Sequence, residues 1–202
     1  MRKATVSISL TVIFLTIGWL FWYQEGQYLL PTPLPETYTP VLTGTSISPD
    51  STMMPAVTSP TLLHFFNPDC PCSRFNLKHF VTLTEKYKSI QFFAVVTDDE
   101  KASSAKSMLG PHVSIIVDHD EKLAKKCGVY STPQAAILTS ASTLFYRGNY
   151  NRARYCTDKN SNFVQMALDS LAANTQPPTF NAFATNAYGC TLPGNQTLSL
   201  IP

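Results

Sequence analysis

The sequence predicts an α/β fold: a mixed central sheet with helices on both faces, preceded by one N-terminal transmembrane helix. Three observations predict it. Short apolar runs alternate with longer segments of helical periodicity between residues 61 and 173, the pattern of a sheet covered by helices. The apolar runs are continuous rather than alternating, as strands covered on both faces require. An uncharged stretch of 20 residues, 4–23, stands near the start of the chain, close to the length that crosses a bilayer as a helix.

Residues 1–3 read as a cytoplasmic N-terminus, because Arg2 and Lys3 precede the apolar stretch and basic residues stay on the cytoplasmic side. Trp19, Trp22 and Tyr23 stand at its far end, where amphipathic rings favour the interface. WLFWYQEGQYLL offers no small-x-small cleavage site, so residues 4–23 read as a retained signal-anchor. Residues 24–60 hold seven of the 15 prolines among many Ser and Thr, and read as an unfolded linker reaching at most roughly 100 Å. Residues 61–175 form the folded domain, and 176–202 a C-terminal tail.

Within the domain, TLLHFF (61–66) suits a buried strand. Leu77, Phe80, Val81, Thr84 and Tyr87 recur at helical spacing, so a helix runs over about 71–88. SIQFFAVVT (89–97) is a second strand, and 98–109 a helix stopped by Gly110-Pro111. HVSIIVD (112–118) is a third strand. A short helix over about 120–127 ends at Gly128, a glycine C-cap. Residues 134–140 and 143–148 are two strands joined by a tight turn, and 160–173 a last helix with Phe163, Met166, Ala167 and Leu171 on one face.

Net charge is +2, which Arg2 and Lys3 account for. The body is therefore neutral and carries no electrostatic footprint for nucleic acid, which is excluded as a partner.

The chemistry concentrates in FFNPDCPCSRF, residues 65–75. Proline is favoured at the first helical position. With Pro71 there, Cys70 is the N-cap and Cys72 lies in the first turn. The unpaired N–H groups and the helix dipole then stabilise a Cys70 thiolate, the attacking species, while the neighbouring Asp69 carboxylate opposes it. A Cys70–Cys72 disulfide is feasible only in a bent backbone, since bridged Cα atoms lie about 4.4–6.8 Å apart. Cys127 reads as a buried thiol on a helix face. Cys156 and Cys190 flank the last helix and are the candidate structural disulfide in an oxidising compartment. A soft-metal alternative joins Cys70 and Cys72 with His64 or His79, because thiolates select Cu(I).

The element order, the cysteines at the junction of the first core strand and a long helix, and STPQAAIL (131–138) together resemble the thioredoxin superfamily, in its membrane-anchored bacterial form. Gly148 after the last strand also fits. The resemblance implies a thioredoxin-like fold and a cis-proline at Pro133, facing the cysteines with Thr132 beside it. The departure is Cys-Pro-Cys in place of Cys-x-x-Cys. Aligned without a gap, Cys70 takes the nucleophile's position and Ser73 that of the second cysteine; with one residue deleted, Cys72 does. The activity implied is that of an outward-facing thiol–disulfide oxidoreductase without a cofactor, using Cys70 with Cys72 or an external thiol. It would act on protein thiols and disulfides with a redox partner, from the bacterial inner membrane into the periplasm or outside. The alternatives are a copper-delivery module and a redox-inactive interaction domain.

Overall fold

The computed structural model describes residues 2–26, 30–48, 54, 56–152 and 158–195. The chain divides into two units, Met1–Pro31 and Thr32–Pro202. In the first, α1 (Arg2–Glu25) is a single uninterrupted helix. Its span Arg2–Gln24 is long and apolar enough to cross a membrane, with an 18-residue stretch of mean hydropathy 2.0 in which no residue is buried.

The second unit is built on a sheet in the order β3-β2-β1-β5-β6, comprising β1 (Thr61–Phe65), β2 (Gln91–Val96), β3 (Ser114–Val117), β5 (Gln134–Leu138) and β6 (Leu144–Gly148). The strand β1 is central, parallel to β2 and antiparallel to β5. All five of its residues are buried, which is why the run TLLHF shows no alternation. Alternation survives in the side-chain directions. Leu62 and Phe66 face one core with Phe80, Leu83 and Val164, while Leu63 and Phe65 face the other with Leu123 and Cys127.

The first face is covered by α2 (Pro71–Lys86), α3 (Asp99–Leu109) and α5 (Phe163–Ala172). The Asp98 side chain caps α3 by accepting from the Lys101 N–H. Among the described residues, the helix on the second face is the six-residue α4 (Lys122–Cys127), closed by Gly128 in the left-handed conformation at φ 69°, where glycine meets no Cβ penalty. So short a helix leaves much of that face bare.

The segment expected to be an unfolded linker completes the cover. Ile47 and Met54 are each 2% exposed in the second core, with Val41 and Val57 against it. The Gly44 N–H donates to the Leu144 carbonyl (2.7 Å), the Leu144 N–H to the Thr45 carbonyl (2.9 Å), and Ser46 bridges Thr143. The linker reading of 24–60 is therefore corrected over 32–48. Its prolines exclude regular helix, but they do not prevent scattered apolar side chains from packing on an uncovered sheet. The tail reading of 176–202 is corrected likewise over its described part. There α6 (Ala182–Thr185) buries Ala184, Phe180 packs edge-on to Tyr146 and Phe163, and Ala187 and Leu192 are buried.

Candidate functional site

Asn67 to Cys70 leaves the C-terminal end of β1 in a tight turn. The Cys70 N–H donates to the Asn67 carbonyl (3.1 Å), and the Asp69 N–H to Asn67 Oδ1 (3.0 Å). Pro71 opens α2 and Cys70 is its N-cap residue, with extended backbone and no side-chain capping bond. Ser73 is fully buried and its hydroxyl accepts from the Asn67 N–H (3.3 Å). It holds the turn, a structural task at the position where the gapless alignment places the family's second thiol.

Opposite the cap, the short strand β4 (Ser131–Thr132) runs into Pro133 through a cis Thr132–Pro133 peptide. The Cys70 Sγ lies 3.6 Å from the Thr132 carbonyl oxygen. The fold thus brings Cys70, Thr132 and Pro133 together in one place. Cys72 is buried within α2 and is not the residue bonded to Cys70.

The partner is Cys190. A disulfide joins Cys70 to Cys190 across 120 residues, with Cα atoms 6.1 Å apart. Because a sulfur forms one such bond, the expected Cys156–Cys190 staple is corrected; Cys156 lies outside the described residues. The physical reason is strand pairing. Cys190 belongs to β7 (Cys190–Thr191), which lies antiparallel on β4 with Thr132 opposite Cys190 and Ser131 opposite Thr191. Residues whose sequence positions differ by 58 are set side by side, and this delivers the tail cysteine to the helix cap.

Several residues hold the tail there, and no sequence motif marks them. The Ser131 hydroxyl donates to the Cys190 carbonyl (3.1 Å). The Tyr130 hydroxyl accepts from the Ala187 N–H (2.8 Å), and the Leu192 N–H donates to the Tyr130 carbonyl (3.3 Å). Thr32 brackets Gly189: its hydroxyl donates to the Gly189 carbonyl (2.9 Å) and accepts from the Gly189 N–H (3.0 Å). A Cβ on Gly189 would stand 2.2 Å from the Thr132 carbonyl oxygen, so the approach needs a glycine. Further on, Glu121 Oε1 accepts from the Gly194 N–H (2.6 Å). Only the glycine before the cysteine in AYGC is a local signal for this, and it is a weak one.

The other candidates stand apart. His64 is fully buried in β1, stacked on Phe80 at 4.2 Å, with Nδ1 2.8 Å from the Tyr150 hydroxyl. Burial pulls its pKa down to about 3, so the ring is neutral. His79 on α2 lies edge-on to Tyr150, and burial lowers its pKa too. Among the described residues no group of three or more His, Cys, Asp or Glu side chains could hold a metal ion. The Cys70, Cys72, His64, His79 set of the copper alternative is not assembled. Cys127 is a free, fully buried thiol whose pKa is pushed up to about 12, first by burial and then by the Asp118 carboxylate.

Residues 42–192 match the model of a family described as a domain of unknown function, DUF6436. The chain belongs to that family. The match begins inside the expected linker and ends two residues past Cys190, so it takes in the later part of the packed linker segment, from residue 42, and the packed stretch up to Leu192. No curated protein is significantly similar in sequence. A hypothetical protein from Sinorhizobium meliloti has a similar fold (TM-score 0.63, 16% identity, 76% of this chain and 95% of that one). So does a conserved protein from Geobacillus kaustophilus described as uncharacterised (0.62, 19%, 80% and 96%). A thioredoxin-like protein from Aeropyrum pernix is a more distant neighbour (0.44, 17%, 60% and 80%). The strand order, the parallel and antiparallel pairings and the helix that starts at Cys70 make the fold thioredoxin-like.

Proposed function

We propose that this protein is a membrane-tethered, outward-facing thiol–disulfide oxidoreductase in which Cys70 performs the exchange. The observation that carries this reading is the position of the Cys70 sulfur. It caps α2, is bonded to a second cysteine and touches the backbone of the Thr132–Pro133 turn. When that bond opens, the Cys70 thiolate faces the unpaired N–H groups and positive end of a 16-residue helix, which favour the ionised, nucleophilic form. Thr132 and Pro133 form the wall against which a substrate's backbone lies once β7, paired with Thr132 in the disulfide form, has lifted from it. The substrates are protein thiols and disulfides, recharged by a redox partner.

The tether is α1, with Arg2 and Lys3 on the cytoplasmic side. The domain then faces the periplasm or the exterior of a bacterial inner membrane, a compartment in which disulfides persist. The test uses the full chain in detergent micelles, a disulfide-bonded peptide and an external dithiol. Cys70→Ser is expected to lower the rate of peptide reduction by about 100-fold or more. A variant that keeps the wild-type rate overturns the reading.

A further inference from the structure

The geometry points to Cys190 as the second redox-active cysteine of the site, so that the C-terminal tail supplies the partner thiol through which electrons enter and leave. This inference rests on the reading of Cys70 as the exchanging thiol and assigns that site its missing half.

Three observations carry it. Cys70 is bonded to Cys190, while Cys72, two residues away on the same helix, is not its partner. The two bonded sulfurs belong to unlike surroundings: Cys70 is 2% exposed beneath β7, whereas Cys190 is only half-buried. Finally, β7 is held on β4 by a two-residue pairing and a few side-chain hydrogen bonds, so opening the disulfide removes the covalent tie between Cys190 and the helix cap.

The asymmetry sets the order of events. Exchange depends on which sulfur is reached and on how well the other leaves. An external thiolate reaches Cys190 first. It attacks the Cys190 Sγ, a mixed disulfide forms there, the Cys70–Cys190 bond breaks, and Cys70 departs with the electron pair as a thiolate at the head of α2. A second external thiolate attacks the external sulfur of the mixed disulfide. Cys190 is released and takes a proton from water, and the two external thiols leave as a disulfide, having lost two electrons. Toward a substrate, the reduced Cys70 thiolate attacks the substrate disulfide and expels one substrate thiolate, which is protonated by water. Cys190 gives up its proton to water and, as thiolate, attacks the Cys70 Sγ, re-forms the Cys70–Cys190 bond and expels the second substrate thiolate, which takes a proton from water. The substrate gains the two electrons that the pair loses.

The experiment uses oxidised full-length protein in detergent micelles, treated with limiting reduced glutathione, acid-quenched, alkylated and mapped by mass spectrometry. The adduct is expected on Cys190, at least tenfold over Cys70, with Cys70 appearing as the alkylated free thiol. An adduct forming first on Cys70 overturns the assignment. So does a bond that stays closed at every glutathione ratio while the fold, followed by circular dichroism, remains intact, for it is then a structural staple. Glutathione titration of variants completes the test. Cys72→Ser is expected to keep the wild-type midpoint ratio within twofold, and Cys190→Ser to lose the couple and accumulate a Cys70–glutathione adduct. A reversible couple surviving in Cys190→Ser makes Cys72 the partner and overturns the inference while leaving Cys70 chemistry standing. If Cys70 reacts with glutathione in none of these proteins, the oxidoreductase reading itself falls. The wild-type mapping requires no substitution, so a misfolded variant does not block the test.

Discussion

Cys70 and Cys127 are almost equally buried, at 2% and 0% exposure, yet they stand at opposite ends of helices. Cys70 caps the start of α2 and has a second sulfur within bonding distance. Cys127 closes α4, where the helix presents carbonyls, and the Asp118 carboxylate adds to the burial that holds its thiol near 12. The same side chain is therefore a candidate nucleophile in one place and an inert core group in the other. Burial does not decide reactivity; the sign of the local field and the presence of a sulfur partner do.

That contrast can be broken in several ways. The largest expected effect is on alkylation. After reduction at pH 8, iodoacetamide should modify Cys70 at least about 100-fold faster than Cys127, whose fully buried thiol is held near 12 and is almost wholly protonated; peptide mapping against time checks it. Comparable rates would erase the distinction.

Next comes Gly189→Ala, whose Cβ would stand 2.2 Å from the Thr132 carbonyl oxygen. It should unseat β7 and prevent the Cys70–Cys190 bond, which closes a separation of 120 residues, at a cost of about 4 kcal/mol. A thermal melt under oxidising and reducing conditions should show the wild type losing stability on reduction and the variant changing little.

A smaller effect concerns pH. His64 has a folded pKa of about 3 against an ordinary 6.5, so as pH falls below 6.5 the unfolded chain takes up the proton first. Stability is complete above pH 6.5 and falls by about 1.4 kcal/mol per pH unit down toward 3. His79, shifted in the same direction, adds with the same sign. Urea unfolding followed by circular dichroism at pH 7 and pH 5 should show a drop of about 2 kcal/mol, reduced in His64→Leu. The smallest effect is that of Cys127→Ala, expected to cost about 1 kcal/mol and to leave peptide-disulfide reduction unchanged within about twofold.

Much of the fold was legible because it is written in local periodicity. The apolar run 61–66 became β1, the helical spacing from Leu77 to Tyr87 became α2, and Gly128 capped α4 as its conformational freedom allows. Two segments depart from the expectation for one reason. Residues 32–48 and the stretch from Phe180 to Leu192 carry isolated apolar residues among prolines and polar residues, with no period to reveal them. Their burial comes from sheet surface and edge that only the assembled domain presents. The site divides along the same line. Cys70 at a helix N-cap could be read from Cys-Pro, while Pro133 opposite it was implied by the family resemblance that STPQAAIL carries.

By itself, then, the sequence determined the apolar N-terminal helix, the α/β alternation and the thiol at the head of α2, because each depends on residues within one or two turns of one another. Only the tertiary structure decided which sulfur Cys70 meets. A disulfide needs Cα atoms within about 4.4–6.8 Å, and five cysteines in a row of letters carry no such distances. The pairing of β7 on β4, with Gly189 thin enough to let the backbones approach, brings Cys190 to 6.1 Å from Cys70.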